Sequence, residues 1–111
     1  MIAVIFEVEP NEGKLDTYLD HAVSLRDEFE AIDGFISVER FASLTTPGKY
    51  VSLSFWRDEQ AIDEWRNRAI HRRAQSKGRS EYFADYRLRI ASVIRDYGME
   101  DRDQAPQDSV V

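Results

Sequence analysis

The strongest constraint on the fold is a change in the spacing of apolar residues near the start of the chain. Residues 2–8 alternate in character, which is typical of a half-buried strand, and the apolar side is formed by Ile2, Val4, Phe6 and Val8. The spacing then becomes that of one helical face, occupied by Leu15, Tyr18, Leu19, Ala22, Leu25, Phe29 and Ile32. Asn11 is the expected N-cap of this helix, and Gly34 is its expected C-terminal stop. The chain therefore opens with a strand and a helix.

Two strands joined by a tight turn are predicted next, over Phe35–Leu44 and Tyr50–Trp56. Pro47 and Gly48 suit the central positions of a type II turn, because the second position needs a positive φ. Strict alternation along the first of these strands would place Phe35 on the face opposite Val38.

A second helix and a last strand complete the pattern. Asp58 is the expected N-cap of a helix that runs to about Lys77 and ends at Gly78, and the last strand is expected over about Tyr86–Tyr97. The order strand–helix–strand–strand–helix–strand predicts a ferredoxin-like α+β fold, an antiparallel four-stranded sheet with two helices on one face. We expect one domain over residues 1–97 and a polar, disordered tail over residues 98–111.

Composition narrows the possible classes of function. The chain of 111 residues has a formal net charge of −6 and no cysteine, which disfavours nucleic-acid binding, disulfides and thiolate metal sites. With two histidines, no metal site is expected. The first apolar run is short and ends in acidic residues, so we expect neither a signal peptide nor a membrane span. These features predict a cytoplasmic protein.

The face of the sheet away from the helices is expected to need a partner. Large apolar side chains fall on both faces of the predicted strands, and an uncovered apolar face usually marks an interaction surface. A second copy of the chain is the commonest solution, so we expect a homodimer. Pairing would enclose a partly apolar cavity bordered by the polar strand residues Glu7, Arg40, Ser52 and Ser54.

Three short motifs are shared with a known family. They are the Gly-Phe-Ile-Ser start of the second strand, the Ser-Phe-Trp-Arg-Asp junction before the second helix, and Trp65 followed six residues later by His71. With these motifs, residues 1–97 resemble the antibiotic-biosynthesis-monooxygenase (ABM) family. The resemblance implies a dimeric α+β barrel that oxidises polycyclic aromatic phenols or quinols with O2, without a metal or flavin.

One branch of that family binds and degrades haem. The branch pairs a helix tryptophan with a histidine ten residues on and with an asparagine on the first strand. In this sequence Gln75 lies ten residues after Trp65, and the first strand carries Glu7. The resemblance therefore implies a protein that needs no cofactor and disfavours haem.

Cofactor-free oxidation assigns candidate roles to particular residues. It requires a base for the phenolic proton, a cation for the resulting oxyanion and walls that exclude water. Histidine is the natural base near neutral pH, so His71 and Arg40 are the predicted catalytic pair. The residues predicted to bind a small aromatic substrate are Trp65, Trp56, Glu7, Ser54 and Tyr86.

Structural roles are the alternative for these residues. Trp65 lies on the apolar line of its helix, and His71 lies about 120° around that helix from it, where it can face solvent. Arg40 can pair with a neighbouring carboxylate. The alternative functions are a non-catalytic dimer that binds a small molecule or acts in stress, and a haem-binding protein.

Overall fold

The computed structural model describes residues 1–75 and 82–111, and it describes side chains outside residues 69–81. The elements are β1 (Ile2–Pro10), α1 (Leu15–Glu30), β2 (Phe35–Ala42), β3 (Tyr50–Trp56), α2 (Glu59–Gln75) and β4 (Phe83–Ser92). The strands form one four-stranded antiparallel sheet in the order β2-β3-β1-β4. The predicted ferredoxin-like α+β fold is confirmed.

The register of the sheet assigns each strand residue to one of two faces. Trp56 lies opposite Ile2 and Ser54 lies opposite Val4, and residues directly opposite each other share a face. Trp56 contacts Phe29 of α1, so this side is the helix face. The other side, called the open face, carries Ala3, Ile5 and Glu7 of β1 and Val51, Leu53 and Phe55 of β3.

An aromatic cluster joins both helices to the sheet. The ring of Phe29 in α1 stacks on Phe35 of β2 and meets Trp56 of β3 edge-on, each with centroids 5.7 Å apart. Trp65 of α2 approaches the same ring to 4.3 Å. Phe29 and Trp56 are buried, so the cluster lies at the centre of the core.

Strict alternation fails at the start of β2. Phe35 pairs with Trp56 and Ser37 pairs with Phe55, so the register shifts between them. The irregularity turns Phe35 toward the helices, where it packs on the core together with Val38. The prediction that Phe35 lies opposite Val38 is wrong, because one extra residue in a strand reverses the direction of the side chains that follow.

The starts of the two helices differ in how well the sequence predicted them. Asp58 caps α2 as predicted, since its Oδ1 accepts a hydrogen bond from the backbone N–H of Ala61 at 3.0 Å. Asn11 does not cap α1, which begins at Leu15 after Lys14. The carbonyl of Asn11 instead accepts a hydrogen bond from the N–H of Lys14, so a separate turn lies between the strand and the helix.

The limits of the strands follow from their partners. The last strand is β4, Phe83–Ser92 rather than Tyr86–Tyr97, because it pairs with β1 from Pro10↔Phe83 to Ile2↔Ser92. The hairpin turn is as predicted: Gly48 has φ +84, and the N–H of Lys49 donates to the carbonyl of Thr46 at 3.2 Å. The predicted end of the second helix, at residues 77 and 78, lies outside the described residues.

Residues 98–111, all of which the structure describes, contain no helix or strand. Arg102 makes contacts along this segment. Its guanidinium donates to the carbonyls of Gly98 and Ser109, at 3.1 and 2.9 Å. The same group lies 5.2 Å from the ring centroid of Tyr97. The disorder predicted for residues 98–111 stays a prediction.

Gly34→Ala is expected to destabilise the fold by about 1–3 kcal/mol. Gly34 has φ +97, and a Cβ there would lie 2.9 Å from the Cβ of Ala61 in α2. Gly13→Ala is the matched control, because Gly13 has φ +76 but a Cβ there would meet nothing within 4 Å. Urea unfolding followed by circular dichroism should show the larger loss for Gly34→Ala. Equal losses would mean that the contact with α2 contributes nothing.

Candidate functional site

The predicted site residues are divided between the two faces of the sheet. The register places Arg40, Ser54, Trp56 and Tyr86 on the helix face. Glu7 lies on the open face, opposite Val51 and Arg87. Glu7 therefore does not share a face of the sheet with Arg40 and Ser54, because Phe6 and not Glu7 pairs with Ser52 and successive side chains point to opposite sides. The part of Glu7 in substrate binding stays a prediction.

Trp56 and Ser54 satisfy each other inside the core. They are 1% and 6% exposed, and the Trp56 Nε1–H donates to the Ser54 Oγ at 2.9 Å. This geometry gives both residues a structural role, since each satisfies the polar group of the other inside the core. Their part in substrate binding stays a prediction.

Trp65 and His71 lie on the same helix. Trp65 is half-buried and packs edge-on against Phe29, so it belongs to the rim of the core. His71 follows in α2, about 9 Å further along the helix axis at 1.5 Å per residue. The side chain of His71 lies outside the described residues, and its role as a base stays a prediction.

An apolar strip on the helix face is the surface best suited to a flat ligand. The strip consists of Phe6 on β1 and of Tyr86, Leu88 and Ile90 on β4. Although they point to the helix side, these β4 residues are 59%, 53% and 49% exposed. The ring of Phe6 lies 5.8 Å from that of Tyr86. A small apolar molecule lying here would remove large hydrophobic side chains from water.

Arg40 lies on the same face as the apolar strip. It pairs with Ser52, which pairs with Phe6, which in turn pairs with Leu88. These residues therefore form one row across the sheet, with a cation at the β2 edge and apolar groups at the β4 edge. The arrangement matches a ligand that is apolar over most of its length and polar at one end.

Tyr18 of α1 is a functional candidate that sequence reasoning missed. It is 5% exposed, meets Phe83 edge-on at 5.8 Å and has its hydroxyl beside the positive charge of Arg40. Burial raises the pKa of Tyr18, and the positive charge of Arg40 partly opposes the shift. Tyr18 could have been singled out as the one residue with a polar group in the apolar stripe of the first helix.

Glu7 is the centre of an ion-pair network on the open face. Its Oε2 accepts a hydrogen bond from Arg89 Nη1 at 3.0 Å and lies 3.7 Å from Lys49 Nζ. The hydrogen bond from Arg89, with the charge of Lys49, holds the pKa of Glu7 below its ordinary value, although burial acts in the opposite direction. Glu7 therefore links β1 to β4 and to the loop before β3.

Two surface depressions lie at the edges of the sheet. One of about 280 Å³ is lined by Arg26, Glu30, Phe35, Ile36, Ser37 and Val38. The other, of about 500 Å³, is lined by Met1, Ile2, Arg57, Asp58, Glu59, Ile90, Ala91 and Ser92. The larger one touches the end of the apolar strip at Ile90, so the strip continues into open space beside the start of α2.

Neither helix in the described part of the chain is long and apolar enough to cross a membrane. Among the described side chains, no group of three or more His, Cys, Asp or Glu residues is placed so that it could hold a metal ion.

Comparison with known sequences identifies relatives. The model of the antibiotic biosynthesis monooxygenase family, ABM, matches residues 1–77. A jasmonate monooxygenase of Pyricularia oryzae is 52% identical over 93 residues, which cover 84% of this chain and 43% of that protein. The chain spans about half the length of the curated relatives it matches.

Solved structures share the fold at low sequence identity. Rv0793 of Mycobacterium tuberculosis has a TM-score of 0.72 and 20% identity, covering 87% of this chain and 98% of that one. MhuD of the same organism, a haem degrader solved with two haems in its active site, has a TM-score of 0.69 and 18% identity, covering 88% and 100%. Similarity at this level supports the shared fold and leaves the ligand to be argued from the site.

Ser54→Ala is expected to cost about 1–3 kcal/mol of the free energy of unfolding, because it leaves the buried Trp56 N–H without an acceptor. In a Trp56→Phe background the same change should cost less, since no N–H is left to satisfy. Urea unfolding of the single and double variants measures this difference. Equal costs in both backgrounds would contradict the role assigned to the hydrogen bond.

Glu7→Gln is expected to lose stability at neutral pH and little at low pH. Because the pKa of Glu7 in the folded protein lies below the ordinary 4.5, the carboxylate stabilises the fold above that pH. The stabilisation is lost as pH falls through the folded pKa. Thermal melts across this range should show the melting temperatures of Glu7→Gln and the parent chain converging in acid. Glu100→Gln, in the C-terminal segment, is the control. A difference in melting temperature between Glu7→Gln and the parent chain that stays the same at every pH would contradict the prediction.

Proposed function

Because the chain belongs to the antibiotic biosynthesis monooxygenase family, we propose that it oxidises a small hydroxylated aromatic or quinone-type molecule with O2 and without a cofactor. The observation that carries the proposal is the family match over residues 1–77, which includes Tyr18, Arg40 and Trp65. The half-exposed apolar strip supports the proposal, since a flat aromatic molecule would find an apolar surface there on which to pack.

The reaction needs no external electron donor when the substrate is a phenol. Oxidation of a phenol to a quinone takes up O2, places one oxygen atom in the new carbonyl group and releases the other as water. The substrate supplies all the electrons, and two of its hydrogens leave in the water. The protein then has to remove the phenolic proton, hold the electron-rich anion and keep bulk water away from it.

The residues divide these tasks. His71 takes the phenolic proton, and Arg40 stabilises the anionic oxygen. The apolar strip packs against the ring system of the substrate, and within the strip the ring of Tyr86 contacts those of Phe6 and the neighbouring Phe83. Trp65 closes the core beside the ligand, whereas Trp56 and Ser54 support the sheet beneath it.

The working unit is a homodimer in this proposal. The open face carries Ile5, Val51, Leu53 and Phe55, which are partly exposed side chains on the side of the sheet away from the described helices. A second copy packed on that face would cover them, and the symmetry of a homodimer places the same residues on both sides of the contact. The apolar strip stays on the helix face of each copy.

Oxidation of jasmonate is the second candidate, because the relative named for that activity is 52% identical over 93 residues. Insertion of one oxygen atom of O2 into a saturated C–H bond requires two electrons from a donor other than the substrate. A requirement for added NADH therefore separates this reaction from phenol oxidation. Haem binding and ligand binding without catalysis are the remaining alternatives.

Oxygen uptake is expected when the protein is incubated with a quinol or polycyclic phenol from a panel, and the rate should fall at least about tenfold in His71→Ala. Arg40→Met should also lower the rate, because the oxyanion loses its cation. His21→Ala is the matched control, since it removes the other histidine of the chain. Light scattering at the assay concentration gives the mass of the active species and tests for the dimer.

Several results would contradict this proposal. No uptake above buffer across the panel, with or without NADH, would exclude the oxygenase function. Uptake that His71→Ala and Arg40→Met leave unchanged would exclude the assigned residues. A Soret band on titration with haem would favour the haem alternative, and a single-chain mass would exclude the dimer.

A further inference from the structure

Arg40 carries a buried donor that the described part of the protein leaves unpaired. Its Nε is enclosed and has no hydrogen-bond partner there. The ion pairs of the described residues do not involve Arg40. A guanidinium can only donate hydrogen bonds, and a buried donor without an acceptor destabilises a fold. An acceptor that arrives with a ligand would remove that penalty.

Tyr18 supplies a second donor beside the first. The Tyr18 hydroxyl lies beside the positive charge of Arg40, and because a guanidinium can only donate hydrogen bonds, the phenol oxygen is the atom that faces it. The proton of the Tyr18 hydroxyl is then directed away from Arg40. Burial raises the pKa of Tyr18, so the group keeps this proton at neutral pH and can donate it to a hydrogen bond.

We infer that Tyr18 and Arg40 together bind a single oxyanion of an otherwise apolar ligand, with Tyr18 acting as a recognition residue. Two donors and one positive charge call for a partner that only accepts hydrogen bonds, and a phenolate or a carboxylate is such a partner. The inference rests on the proposed function in taking this ligand to be the substrate.

The surroundings limit the rest of the ligand to apolar groups. Arg40 begins the row that continues through Ser52 and Phe6 to Leu88, and this row spans about 14 Å at a strand spacing of about 4.8 Å. Tyr18 packs on Phe83, beside the same strip. A molecule with its oxyanion at Arg40 would therefore lay its rings or hydrocarbon along Phe6 and β4.

Calorimetric titration of the full chain tests this inference. The probes are 2-naphthoate and 4-nitrophenolate, each at a pH at which it is ionised and each compared with its neutral methyl ester or ether. We expect at least one anion to bind about tenfold more tightly than its neutral partner. Tyr18→Phe and Arg40→Lys should each reduce that preference by about fivefold or more, because each removes a donor while keeping the ring or the charge.

Controls separate recognition from folding and from catalysis. Tyr97→Phe removes a hydroxyl in the C-terminal segment and should leave the preference unchanged, and melting curves show whether each variant is folded. If Tyr18→Phe does not fold, Arg40→Lys carries the test. Preference for naphthoate alone identifies a carboxylate site, and preference for nitrophenolate alone identifies a phenolate site.

The results that would overturn the inference are distinct from those that would overturn the enzyme. Failure of both anions to bind, equal binding of charged and neutral probes, or a preference unchanged in folded variants would each refute the oxyanion site. Oxygen uptake without anion preference refutes the site alone. Anion preference that depends on Tyr18 and Arg40, without oxygen uptake, supports the site and contradicts the oxygenase.

Discussion

The ring of Phe29 is the contact on which the rest of the structure depends, because it touches an aromatic ring from each of three other elements. Phe35, Trp56 and Trp65 bring β2, β3 and α2 to the same point on α1. Aromatic pairs of this kind contribute about 0.5–1.5 kcal/mol each beyond the area they bury. The cluster holds both helices over the β2 and β3 side of the sheet, where the described residues make their main helix–sheet contacts.

The position of this cluster explains why the candidate site lies where it does. With the helices drawn toward β2 and β3, the helix side of β4 keeps large apolar residues half exposed, among them Leu88 and Ile90. Trp56 and Ser54 satisfy each other's polar groups inside the core. Tyr18 and Arg40 place their polar groups further along the same face of the sheet. The fold thus separates the residues that maintain the sheet from the residues that we propose to contact a ligand.

Local patterns predicted much of this architecture, because turns and caps are decided by residues close in sequence. The turn at Gly48 and the cap at Asp58 are of this kind. The bulge after Phe35 and the limits of β4 depend on pairing between distant strands, which periodicity does not reveal. The contact between Tyr18 and Arg40 joins a helix to a strand, and each residue alone has an ordinary structural explanation.

The central place of β1 in the sheet has a consequence for synthesis. This strand leaves the ribosome before the other strands of the sheet, yet it lies between β3 and β4, and Ile2 pairs with Ser92 of the last strand. At the usual speed of translation, the nascent chain keeps one edge of β1 without its final neighbour for roughly 5–20 s. Chaperones that shield exposed strand edges would therefore act on this protein mainly before β4 emerges.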